Sequence, residues 1–266
     1  MLKYLSGVSA VALCLATATV AQEAHDHEHE GAEESVTLYR VFVGDHEAPR
    51  VTAFDLSGPE HRWTFDTKGQ VKLYSEAGGA VIVAAQSFDD QVNFLTSGIS
   101  LHSHGDHQDV EITEPVEQVL ESKRPFHVVE NEGKISINFD RGGYSELLDA
   151  HELSEDVIES VQFPQAHAHH GIAVPMGDLI IGSVASDQPP AEEGALPSRV
   201  GAQAFTPDGE AAGELQTCTG IHGEALSGAY LAFDCEEGVL AVTLVGGSPV
   251  FEMLAYPAEF EPGEMT

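Results

Sequence analysis

HVVENEGKISINFD, residues 127–140, reads as a short extended run, a turn built on Gly133, and a second, more apolar run returning from Lys134. Three other stretches share its form: LYSEAGGAVIVAAQ at 73–86, HGIAVPMGDLIIGSV at 170–184 and HGEALSGAYLAFDC at 222–235. Each opens a strand, meets a turn glycine six or seven residues on (Gly79, Gly133, Gly177, Gly228) and comes back as a strand. Successive copies start about 54, 43 and 52 residues apart, close to the period of a propeller blade. Each copy therefore predicts the inner hairpin of a four-stranded blade, and the fold class is all-β, a β-propeller.

The flanking sequence agrees. TLYRVFVGD, RVTAFDL, GVLAVTL and similar β-branched or aromatic runs are broken by Gly, Asp, Asn and Pro at close intervals, the signature of many short strands. The uneven spacing of the copies is taken up by insertions, of which the Pro- and Glu-rich segment from Gln188 to Ala195 is the plainest. In a propeller the first strand of each blade lines the central channel, so His127, His170 and His222, which open three of the copies, are expected to converge there. The competing expectation is that they are hydrogen-bonded core histidines at a repeated packing position.

The N-terminus has a different character. One lysine, an apolar run from Leu5 to Leu15 and the small residues around Thr19-Val20-Ala21 predict a cleaved secretory signal over 1–21, because the run is too short to span a bilayer. Leu13 before Cys14 does not suit a lipid-attachment site. Residues 22–35, QEAHDHEHEGAEES, hold no apolar residue larger than alanine and are expected to be a disordered tail, with the propeller domain occupying 36–266. Export leaves Cys218 and Cys235, which should pair as a disulfide in an oxidising compartment rather than remain two reduced thiols or a zinc thiolate pair.

Acidic residues number 44 against 11 basic ones, a formal charge of -33. Such a field repels phosphate, arguing against nucleic acid and anionic lipid, and concentrates cations. Fourteen histidines accompany it, and they fall in clusters. LHSHGDHQD supplies His102, His104, His107, Asp106 and Asp109, with Gly105 allowing a tight turn; imidazole and carboxylate at this spacing can give zinc two or three ligands from one loop. AHAHH at 166–170 adds His169 as an accessory beside His170, with His167 the weakest candidate. Glu224 shares a face with His222 and is a candidate ligand or supporting carboxylate. HDHEHE at 25–30 places His25, His27 and His29 in the mobile tail, where each capture event must order a flexible chain and affinity should be modest. Catalytic patterns are missing: there is no GxSxG elbow, and HExxH fails at both His46-Glu47 and His151-Glu152.

VFVGDHEAPRVTAFDL (41–56), HSHGDHQD (102–109), AHHGIAVPMGD (168–178) and CTGIHGEALSGAYLAFDCEEG (218–238) together resemble the AztD family of periplasmic zinc metallochaperones. The resemblance runs from about Val36 to Leu244. It implies a propeller that carries Zn²⁺ and passes it to the solute-binding protein of a zinc ABC transporter in the periplasm; the chain is expected to be a monomer, with charge arguing against nucleic acid and no later apolar run long enough for membrane insertion. It implies that the HGDH loop and the channel histidines form one buried zinc site, that the tail histidines form a flexible arm, and that the two cysteines match the family's disulfide. Without its leader the chain has room for only about five or six blades, so the propeller is expected to be incomplete relative to the family. The alternative reading is a metal-dependent propeller hydrolase of the lactonase or phytase kind. Those sites rely on Asp, Glu and Asn around Ca²⁺, whereas here the repeated channel residue is histidine, which suits zinc better.

Overall fold

The computed structural model describes residues 14–15, 37–105, 107–190 and 192–257. They form five four-stranded antiparallel sheets in chain order, four of them meanders in which consecutive strands pair and the second interrupted before its fourth strand by a two-stranded hairpin. This is the predicted propeller architecture. The second to fifth blades begin with the strands Lys72–Glu76, Pro125–Asn131, Ala173–Met176 and Glu224–Ser227, which are the four copies recognised in the sequence. In the first blade the pair Cys14–Leu15 lies against Phe42 and Val41; the remainder of the expected leader, the tail 22–35 and His25, His27 and His29 lie outside the described residues.

The second strand of each blade explains why these sequences fold this way. Val81–Gln86 is buried at every position, because successive side chains point to opposite faces and both faces are covered. Val81, Val83 and Ala85 join one core with Ile135, Ile137 and Phe139 of the third blade, while Ile82 and Ala84 join another with Phe42, Val51 and Ala53 of the first. A strand sandwiched in this way reads as a continuous apolar run, and the cores lie between blades. At residues 131–134 Asn131 pairs with Lys134, and Glu132 and Gly133 both take positive φ, 52° and 73°. That is the two-residue loop whose twist matches its strands, and it places the repeated glycine where a side chain would be strained.

Cys218 and Cys235 form the predicted disulfide, with their α-carbons 4.9 Å apart. It joins the segment after the last strand of the fourth blade to the end of Tyr230–Cys235 in the fifth, so it brackets His222 and ties two blades together. Among the described residues no helix is long and apolar enough to cross a membrane.

Candidate metal centre

Three blades contribute to one cluster. His127 lies in the first strand of the third blade, at an irregularity in register between Pro125 and Val128 that re-aims the side chain as a bulge does. His170 sits three residues before Ala173–Met176, and His222 two residues before Glu224–Ser227. Nε2 of His127 and Nε2 of His170 are 3.2 Å apart. The His222 ring centroid lies 5.6 Å from that of His170, and Glu224 Oε2 lies 3.3 Å from His127 Nδ1. On the far side of His170, Nδ1 meets Oδ2 of the fully buried Asp140 at 2.7 Å, and Phe126 packs edge-on against the ring.

The spacing suits a cation. Two imidazole nitrogens bound at roughly 2.0–2.1 Å in a tetrahedron lie about 3.3–3.4 Å from each other, so the gap between His127 and His170 is one ion wide. Burial lowers the His222 pKa, helped by the positive charge of Arg199 and by the two neighbouring histidines. The ring is thereby kept in the neutral form that ligates a metal. The cluster is gathered rather than closed: among the described residues no three His, Cys, Asp or Glu side chains stand at the mutual distances that would hold an ion. His222 is the further imidazole beside the gap, while Glu224 lies on the Nδ1 side of His127.

The HSHGDHQD segment lies elsewhere. Ile99–Ser103 and Gln108–Ile112 pair as a hairpin inserted between the third and fourth strands of the second blade, away from the first strands that carry the channel cluster. The expectation that the HGDH loop and the channel histidines share one buried site is not met by this arrangement. At the hairpin tip the His104 and His107 rings stack at 5.3 Å, and Asp109 faces both, 3.2 Å from His104 Nε2 and 4.0 Å from His107 Nε2. His102 turns instead to Glu111 Oε2 at 3.1 Å. These side chains are more than half exposed, and Asp106 lies outside the described residues. The base of the hairpin is fixed: Arg40, 1 % exposed, donates to the carbonyls of Ser97 and Thr113 on its two sides while paired with Asp55.

His169, expected as an accessory ligand, does not join the channel. It is buried, its Nδ1 directed at the carbonyl of His167 (2.8 Å) and its Nε2 at Ser183 Oγ (2.9 Å), so both ring nitrogens are already taken by the core. His167 faces Asp187 at 3.0 Å on the rim of a cavity of about 440 Å³ between Phe163, Phe205 and Leu215. Sequence reasoning missed Asp140, Asn138, Arg124 and Arg199 around His170, and Arg40 under the hairpin. The available signal for Asp140 was the Phe-Asp that closes two copies of the repeat, Phe139-Asp140 and Phe233-Asp234.

No family model matches the chain. It is 33 % identical over 234 residues to a curated protein described as the zinc chaperone AztD of Citrobacter koseri, an alignment covering 87 % of this chain and 54 % of that protein. Among solved structures it superposes on Citrobacter koseri AztD with a TM-score of 0.76 at 33 % identity, covering 86 % of this chain and 60 % of the other. For apo AztD of the same organism the TM-score is 0.77 at 31 % identity, covering 86 % and 61 %. The chain thus spans about half the length of the curated relative it matches.

Proposed function

Over the 234 residues it shares with the zinc chaperone AztD the chain belongs to the AztD family, and we propose on that basis that it is itself a zinc carrier rather than an enzyme. One observation carries the reading: His127, His170, His222 and Glu224 arrive from three separate blades and meet with two Nε2 atoms one ion apart. Zn²⁺ is the cargo. His127 and His170 grip it first, and His222 completes the set.

A carrier must also release. Ligands on flexible or exposed segments can be replaced one at a time by an acceptor's ligands, and the hairpin tip, with His104, His107 and Asp109, is the exposed set. His25, His27 and His29 serve as a capture arm in the same scheme. The acceptor is the periplasmic zinc-binding protein of a zinc ABC transporter. The signal-like N-terminus and the paired cysteines support a periplasmic location, since disulfides persist in oxidising compartments.

Equilibrium dialysis of the purified mature protein tests the reading. At least one tightly held zinc per chain is expected, and handover to the acceptor should outpace release into a chelator. Less than one tight zinc per chain sinks the proposal; equal rates remove directed transfer from it.

A further inference from the structure

The channel cluster is a row of three polar gaps. Asp140 Oδ2 faces His170 Nδ1 at 2.7 Å, His170 Nε2 faces His127 Nε2 at 3.2 Å, and His127 Nδ1 faces Glu224 Oε2 at 3.3 Å. Each gap needs one positive hydrogen or ion between two lone pairs, and two neutral imidazoles bring only two protons. Where those protons sit is decided at the Asp140 end.

Asp140 can only accept. Ser145 Oγ and Gln165 Nε2 both donate to Asn138 Oδ1, at 3.0 and 2.6 Å, which turns Asn138 Nδ2 to donate to Asp140 Oδ1 at 2.8 Å. Arg124 Nε lies 3.6 Å from Asp140 Oδ2, and the carboxylate is wholly buried. A fixed acceptor at 2.7 Å requires the proton of His170 on Nδ1 and leaves the Nε2 lone pair aimed at His127. Glu224 Oε2 lies 3.3 Å from His127 Nδ1, on the opposite side of that ring from the gap.

We propose that Asp140, held by Asn138, is a positioning residue of the channel site: it fixes the His170 tautomer so that the Nε2 lone pair is presented to the incoming cation. Asp140 does not touch the metal. The inference deepens the zinc-carrier reading and rests on it for its affinity consequence, while the tautomer itself is a property of the zinc-free protein. Supporting carboxylates of metal-bound histidines typically contribute about 10–100-fold to affinity.

The test uses the mature protein and three variants. In zinc-free wild type, long-range ¹H–¹⁵N imidazole spectra should show His170 protonated on Nδ1; in Asp140→Ala that tautomer is lost and chelator competition shows the tightest zinc weakened about 10–100-fold. The exchange pair Asn138→Asp/Asp140→Asn keeps one carboxylate and one amide, and the amide oxygen it introduces beside His170 can still accept from Nδ1. It should restore the Nδ1–H tautomer and most of the affinity. His151→Ala, at an exposed histidine of the short helix Ala150–Ser154 outside both clusters, is the control for loss of an unrelated imidazole, and should leave the tautomer and the tight zinc unchanged. A folded Asp140→Ala that retains the tautomer or the affinity overturns the proposal. Should that variant fail to fold, the exchange pair decides, and a folded pair with a weakened site and Nε2–H overturns it. Absence of tight zinc in wild type with the tautomers as stated would instead count against the carrier function.

Discussion

The channel cluster and the hairpin tip offer zinc the same chemistry, imidazole and carboxylate, on opposite physical terms. His127, His170 and His222 are set by three blades and lie mostly out of water, with His127 13 % and His170 19 % exposed. His104, His107 and Asp109 lie within six residues of one another and stand in solvent. Ligands set by packed blades have lost their freedom before the ion arrives, so little further entropy is spent on binding. Ligands on an exposed hairpin must be ordered by the ion, and they stay open to competing ligands. A rigid site suits retention and an open one suits exchange.

The largest effect that separates the two comes from removing a channel ligand. His127→Ala or His170→Ala should abolish the tight zinc, lowering affinity by at least about 100-fold, because either change leaves a single imidazole at the gap. His104→Ala with His107→Ala should leave the tight zinc in place. Chelator competition on wild type and these variants reads both, and equal losses would mean that the two clusters act as one.

Arg40 tests whether the hairpin is a fixed arm. Its guanidinium bonds Asp55 and the carbonyls of Ser97 and Thr113, and stacks 4.2 Å over Trp63. Arg40→Leu removes the cation and leaves those acceptors without their donor, a loss of about 3–5 kcal/mol. Proteolysis within 99–112 should accelerate and the urea midpoint should fall, with tight zinc binding retained. Unchanged proteolysis would show that the clamp is not what holds the hairpin.

How much of this contrast was legible follows from what sequence periodicity records. The repeat placed His127, His170 and His222 at equivalent points on or just before the first strands of three blades, because a side chain's place in a repeated unit is its place in space. The disulfide followed from the count of cysteines. The separation of the HGDH loop from the channel was not legible, since HSHGDHQD falls between the third and fourth strands of a blade whose visible repeat covers only its first two. Asp140 was missed for a related reason. It closes a second strand, one blade away from the histidine it orients, and only the packing of neighbouring blades brings them together. His169 is separated from its neighbour by capture: Ser183 in the adjacent strand takes its Nε2, and nothing local announces that.

Farther along the innermost strands the second and third blades share a carboxylate pair, Glu76 and Glu130, out of reach of most water, whereas the hairpin's Asp109 and Glu111 stand in solvent. Burial and the neighbouring Glu130 raise the Glu76 pKa from 4.5 to about 8. A carboxyl whose folded pKa is raised takes up a proton on folding, so its favourable contribution is complete below pH 4.5 and is lost as pH rises to about 8. Thermal unfolding should therefore show the propeller losing stability between about pH 5 and 8, on the order of a few kcal/mol. Glu76→Gln should flatten that slope. A slope that persists in the variant would place its origin elsewhere.

The smallest effect should come from the exposed ligands themselves. Removing His104 and His107, or deleting 22–35 with His25, His27 and His29, leaves every channel histidine in place. Equilibrium content of tight zinc should stay within experimental scatter of wild type, while the rate of zinc transfer to the acceptor falls several-fold. Stopped-flow transfer measured beside release into a chelator distinguishes the outcomes. A slower transfer with unchanged release assigns these residues to handover, because only handover needs ligands that a second protein can reach. Equal slowing of both would instead make them part of the route by which any zinc leaves the channel, and the distinction between a retaining and an exchanging region would then be one of sequence along a single path.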